Sequence, residues 1–230
     1  YSLGVASGRD AWAYNSSRAK LERHVEESIA FYNSECDRLQ GEAPEKRADL
    51  ATIEEKRFSW NRNAFQDLEK GKRYMYSPNR VMPSMYRPFL RQWMYFDRQF
   101  NAMIYQMHRI FPVGTAENKV IQVSGIGARN ITAFMSKDIP CLDNVEKGQC
   151  FPLYLYEETK PDDGLFATKD APTGLTRRDA ITDAGLAHFQ AAYPGQALSK
   201  EDLFYYIYGL LHSPDYRTRF ANNLAKQLPR

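Results

Sequence analysis

Between Lys56 and Arg109 the chain carries eleven basic side chains: Lys56, Arg57, Arg62, Lys70, Lys72, Arg73, Arg80, Arg87, Arg91, Arg98 and Arg109. Only three acids, Asp67, Glu69 and Asp97, stand among them. The segment is therefore +8 in a chain of formal charge +3, and the remaining residues sum to −5. A basic middle in a near-neutral protein suits a polyanionic partner. A solvated face with arginine stems laid on aromatic rings accounts for it equally well.

Three local groupings bear on that choice. Asn61-Arg62-Asn63 falls at a predicted helix N-terminus, where backbone amides favour phosphate, although an exposed first turn needs no ligand. Residues 85–96, MYRPFLRQWMYF, interleave Arg87, Arg91 and Gln92 with five aromatics. Arginine and glutamine read guanine and adenine edges bidentately, and arginine also clamps phosphate. The same aromatic density also describes a core in which Arg87 is simply stacked. Gly125-Ile-Gly-Ala-Arg129 lacks both the third glycine of a dinucleotide loop and the Gly-Lys-Ser/Thr ending of a triphosphate loop. A tight hairpin turn fits it better, with Arg129 and Asn130 at an edge that can touch a ligand. With Lys72, Arg73 and Arg80 from the basic segment, the candidate contacts are Asn61, Arg62, Lys72, Arg73, Arg80, Arg87, Arg91, Gln92, Arg129 and Asn130.

Other chemistries find no residues to carry them. Cys36, Cys141 and Cys150 are odd in number and fit no zinc or redox spacing, and His24, His108, His188 and His212 are scattered. Free thiols in a reducing cytoplasm are the plain reading, with no metal and no catalytic residue assigned. Residues 7–17, SGRDAWAYNSS, hold an Arg9-Asp10 pair but no nucleophile with its base. In an extended segment Trp12 and Tyr14 share one face, which suits a strand laid on a core. Met103, Met107, Ile104 and Ile110 read as core filling, and Tyr205, Tyr206 and Tyr208 as packing. No apolar run approaches the roughly 18 residues that span a bilayer, and no signal peptide opens the chain. Beginning at Tyr1 and ending at Arg230, both ends look cut from a longer polypeptide.

The elements that must position these residues are legible as periodicities. Leu21, Val25, Ile29, Tyr32, Cys36 and Leu39 form one helical stripe, with Ser16 or Ser17 as cap and Gly41 and Pro44 as the stop. A charged connector, residues 42–56, leads to a short helix capped by Ser59 and stopped by Gly71, with Trp60, Ala64 and Leu68 inward. From Tyr74 to about Tyr156 aromatic and β-branched runs punctuated by Pro and Gly predict strands at 81–86, 92–96, 119–123, 131–135 and 150–156. Residues 157–175 read as an exposed polar loop. Thr182 caps a helix over 183–193, Ser199 with Asp202 opens one through Leu211, and Ser213-Pro214 starts another that Pro229 stops. Phe220 and Leu224 form the apolar side of that last helix.

The expected fold class is α+β, an irregular aromatic-rich mixed or antiparallel sheet region flanked by a long N-terminal helix and C-terminal helices. One domain covers 1–230. It comprises a helical entry segment (1–71), a strand-rich core (72–156) and a C-terminal helical part (176–230).

Several stretches together resemble a known family. They are residues 4–15 (GVASGRDAWAYN), Tyr86-Arg-Pro-Phe89 with Trp93-Met-Tyr-Phe96, residues 149–156 (QCFPLYLY), residues 202–217 (DLFYYIYGLLHSPDYR) and Leu228-Pro-Arg230. In this order and spacing they resemble the C-terminal target-recognition, or specificity, domain of type ISP single-polypeptide restriction-modification enzymes. The resemblance spans essentially the whole chain. It implies a module that recognises double-stranded DNA and positions the site for an adenine-N6 methyltransferase core of the same polypeptide, in the cytoplasm and away from membranes. The family's Asn-Pro-Pro-Tyr, S-adenosylmethionine loop, helicase boxes and nuclease set do not occur here. The resemblance thus implies a non-catalytic fragment, with S-adenosylmethionine, ATP and Mg confined to the parent polypeptide. SGRDAWAYNSS becomes, on this reading, the junction to the methyltransferase core, locked by Arg9-Asp10. Two rivals stand beside it, an interdomain scaffold with DNA contacts made elsewhere and a stand-alone hydrolase.

Overall fold

The structure is a computed structural model and describes residues 1–128, 130–159, 172, 174–224, 226 and 227. The long N-terminal helix α2 (Arg18–Arg38) begins where Ser17 Oγ accepts from Lys20 N at 3.4 Å. Leu21, Val25, Ile29, Tyr32 and Leu39 of the predicted stripe are buried, and Phe31 and Glu35 widen the buried face. Its anchors are polar as well as apolar. Tyr32 hydroxyl donates to Lys72 O at 2.9 Å, and Asn33 exchanges two hydrogen bonds with the backbone of Tyr74. Tyr32 stacks on Tyr74 with centroids 4.0 Å apart and meets Phe58 at 5.4 Å.

Two helices depart from the sequence expectation. The connector contains α3 (Pro44–Leu50), a helix with no buried residue and hence no apolar stripe to betray it. The next helix, α4 (Arg62–Glu69), is capped by Asn61 rather than Ser59, because Asn61 Oδ1 accepts from Ala64 N at 2.8 Å. Trp60 then lies before the helix and donates Nε1 to Thr52 O at 3.1 Å. Ala64 and Leu68 point inward as predicted.

SGRDAWAYNSS is not one extended segment. Trp12 N and Ala13 N both donate to Arg9 O, closing a single helical turn, α1 (Asp10–Ala13). The chain then extends as β2 (Tyr14–Asn15), which pairs antiparallel with Met94 and Trp93 of β4 (Leu90–Tyr95). Tyr14 is buried, whereas Trp12 is half-buried against His24, with centroids 4.2 Å apart.

Among the described residues the strands form three sheets. In the first, β2 and β3 (Val81–Arg87) flank β4, and β7 (Ile139–Pro140) joins β3 in parallel. The second has the order β1 (Ser2–Leu3), β8 (Gln149–Pro152), β5 (Val120–Val123), β6 (Ala133–Ser136), all antiparallel. The predicted strand 150–156 is divided at Leu153, whose amide donates to Lys119 O while its carbonyl accepts from Ala180 N. Beyond it β9 (Tyr154–Glu158) pairs antiparallel with β10 (Leu175–Asp179) as the third sheet. The expected loop over 157–175 therefore has strand at both of its ends, and residues 160–171 and 173 lie outside the described ones.

The large core gathers α1, α2, α4 and the first sheet, with Met107 and Ile110 of α5 (Met107–Ile110) in it. A smaller core joins Ile121, Val123, Ala133 and Leu153 to the C-terminal helices through Phe204 and Leu211. Those helices are α6 (Asp183–Ala192), α7 (Lys200–His212), α8 (Pro214–Arg219) and α9 (Ala221–Leu224). Thr182, Ser199 and Ser213 cap the first three, with a full capping box between Ser199 and Asp202. The predicted last helix is broken at Phe220 into α8 and α9, and Pro229 lies outside the described residues. The fold class is α+β.

Candidate functional site

The basic segment meets its counter-charges in space. Lys72 pairs with Asp67 at 3.1 Å and Arg80 with Asp97 at 3.0 Å, both acids of the segment itself. The other partners come from outside it: Arg57 with Glu54 at 3.7 Å, Arg73 with Asp37, Arg87 with Asp10 at 3.6 Å, Arg91 with Asp138 at 2.7 Å, and Arg109 with Glu157. Lys56, Arg62, Lys70 and Arg98 are exposed and have no ion pair among the described residues. The +8 of the linear segment is thus largely answered by acids that the fold brings to it.

Each candidate contact has a definite place. Asn61 caps α4 through its Oδ1, and Arg62 stands exposed in the first turn beside it. Lys72 and Arg73 lie where the chain crosses α2, held to α4 and α2 by Asp67 and Asp37. Arg80 ends a 3-10 turn, Pro78–Arg80, that leads into β3. Asn130 is exposed in the loop 124–132 that joins β5 to β6, and its carbonyl accepts from Ser124 Oγ at 3.0 Å. That loop is the predicted hairpin connection, with Gly127 at φ +80. Arg129 lies outside the described residues.

Arg87, Arg91 and Gln92 are brought together on the β3–β4 hairpin. Arg87 lies over the Tyr86 ring at 4.1 Å and donates to Tyr86 O at 2.8 Å. Arg91 grips Asp138 with two nitrogens, at 2.7 and 2.9 Å, and its side chain remains 56% exposed. At the tip, Phe89 contacts Phe134 of β6 edge-on at 5.3 Å, which ties the hairpin to the second sheet.

Beside Arg91 opens a cleft of about 750 Å³ between the first sheet, the loop after α5, and the β9–β10 and α7 side. Lys119, Lys137 and Arg177 line it with Arg91, faced by Asp138 and Glu201. Lys119 pairs with Glu201 at 3.2 Å, Arg177 lies 4.2 Å over the Tyr154 ring, and Lys137 is exposed. Sequence reading missed these three cations. Each is isolated in its own stretch, and no pattern joins positions so far apart in the chain. Among the described residues no group of His, Cys, Asp and Glu is arranged to hold a metal ion.

Comparison with known proteins says which kind of domain carries these groups. The family model of the Type ISP C-terminal specificity domain matches residues 1–230. The chain belongs to this family. Three solved structures resemble the type ISP domain over 100% of its length. A DrdV–DNA complex is 34% identical with a TM-score of 0.84. A nuclease-deletion mutant of the Type ISP restriction-modification enzyme LlaGI, in complex with a DNA substrate mimic, is 28% identical with a TM-score of 0.80. The ATP-dependent Type ISP restriction-modification enzyme LlaBIII bound to DNA is 27% identical with a TM-score of 0.77. The specificity domain spans 21%, 19% and 14% of those chains, respectively. No curated protein matches it.

Proposed function

We propose that this domain recognises a duplex DNA sequence and positions it for an adenine-N6 methyltransferase core of the same polypeptide. The observation that carries the reading is the specificity-domain match over every residue, joined to neighbours whose structures hold DNA. The exposed cations Lys56, Arg62, Lys70, Arg98 and Lys137 neutralise phosphates, and the hairpin residues Arg87, Arg91 and Gln92 reach base edges. Asn61, Lys72, Arg73, Arg80, Arg129 and Asn130 complete the proposed contact set. Catalysis, and with it S-adenosylmethionine, ATP and Mg, belongs to other parts of the parent enzyme, which acts in the cytoplasm. Among the described residues no helix is long and apolar enough to cross a membrane.

One observation favours a second reading, an interdomain scaffold with DNA contacts elsewhere: most cations of the basic segment are already paired with acids. Fluorescence-anisotropy titration with a random-sequence duplex at two salt concentrations separates the two. The DNA-reading surface predicts affinity that falls steeply with salt, through counterion release at each neutralised phosphate. Absence of binding at low salt supports the scaffold.

A further inference from the structure

Phe89 combines two features that its single ring contact among the described residues, with Phe134, does not require. The register pairs Arg87 with Leu90, so Pro88 and Phe89 alone form the turn of the β3–β4 hairpin. Proline sets the first position near φ −65°, and Phe89 follows at φ 64. That is the pattern of a type II turn, whose second position ordinarily asks for Gly or Asn. A side chain with a Cβ enters this left-handed region only against steric cost. The ring is moreover 90% exposed, and its ring contact among the described residues is the edge of Phe134. Strain and exposure coincide at this one residue, at the tip of a hairpin whose register also shifts between Met85 and Arg87, and point to a task outside the fold.

The surroundings indicate the partner. Arg87 and Arg91 flank the turn, Leu90 beside it is 46% exposed, and Lys137 lies near Arg91 on the same cleft. Arg87 and Arg91 are each paired with an acid, Asp10 and Asp138, but both remain partly exposed. Beside them Lys137 is exposed and has no ion pair among the described residues. An apolar tip with such cations at its sides complements a surface that is apolar inside and anionic outside. The base stack between two phosphate backbones is such a surface.

We propose that Phe89 is a wedge that enters the base stack of duplex DNA, while Arg87 and Arg91 reach the flanking base edges and Lys137 holds a phosphate beside it. The proposal rests on the DNA-reading function given above. A probe independent of the unknown target sequence is a duplex containing one abasic site, where a ring enters without unstacking a base. The wild-type chain is expected to bind it about five-fold or more tightly than the intact duplex of otherwise identical sequence, given what aromatic stacking on a base contributes. Phe89→Ala and Phe89→Gly lose this preference and keep the salt dependence, because the cations remain. Phe89→Gly also removes the left-handed strain, and melting with the wild type shows that the loss is not misfolding. Equal affinity of the wild type for both duplexes, or a preference that survives in Phe89→Gly, overturns the wedge and leaves the DNA-reading function standing. Failure to bind either duplex at low salt overturns both.

Discussion

At the scale of single residues, the environment of a charge decides its role more than its type does. Arg9 and Asp10 are neighbours in sequence and do not pair. The helical turn that starts at Asp10 sends them to different sides. Asp10 accepts from Ser7 and, at 3.1 Å, from Tyr86, and it faces Arg87. Arg9 is buried between Phe58 and Phe100, its guanidinium 5.0 and 5.3 Å from their ring centres. Desolvation there pushes its pKa down to about 10. Arg91 and Arg62 differ in what they hold within the fold. Arg91→Ala leaves the Asp138 carboxylate, 6% exposed, without its cation. Stability should fall by about 1–3 kcal/mol in a denaturant titration, whatever happens to DNA binding. Arg62→Ala touches no ion pair among the described residues and should melt as the wild type does. If Arg62 contacts phosphate, the slope of log affinity against log salt drops by about one.

At the scale of elements, caps and periodicities were readable and exact starts were not. The stripe of α2 and the capping box of α7 are local patterns, and the structure has both. The start of α4 was misplaced by two residues, since Ser59 and Asn61 are both acceptable caps and only the path of Trp60 toward Thr52 chooses between them. Asn61→Ala should cost about 1 kcal/mol of stability. Asn61→Ser retains the cap, so a loss of DNA affinity with unchanged melting in that variant identifies Asn61 as a contact in its own right. The two strands of the β3–β4 hairpin were legible as aromatic and β-branched runs at 81–86 and 92–96, while their pairing through a turn at Pro88-Phe89 was not. The pairing of β7 with β3 was not, because a two-residue strand has no period.

At the scale of the whole molecule, stability depends on charges that join distant parts. Glu35 on α2 is buried, and it accepts from Arg38 and, at 2.7 Å, from Thr52 N. Trp60 in turn donates to Thr52 O, which links α2 to the entrance of α4. The Arg38 guanidinium foremost, with the Thr52 amide, holds the Glu35 carboxyl below its ordinary value of 4.5. A carboxyl lowered in the folded state stabilises above the unfolded value and loses that contribution as pH falls through the lowered one. Urea midpoints measured from pH 7 downward should therefore be flat until about pH 4.5 and then decline. Glu35→Gln should lower the neutral-pH midpoint by roughly 1–3 kcal/mol in free energy and make the acid decline shallower.

By itself the sequence determined the long helix, the principal strands, the capped C-terminal helices and the family, because these are carried by local spacing, cap chemistry and whole phrases of residues. It also placed basic side chains in the middle of the chain. What only the tertiary structure decided is which of those charges remain open. Asp37, Asp138 and Glu157 reach Arg73, Arg91 and Arg109 across 36, 47 and 48 residues. The cleft beside Arg91 is likewise assembled from several separate stretches. Electrostatic pairing depends on distance through space, which falls off within a few ångströms of contact and has no counterpart in linear spacing. The same holds for Phe89. Its identity was visible at once, but its exposure and left-handed backbone exist only in the folded hairpin.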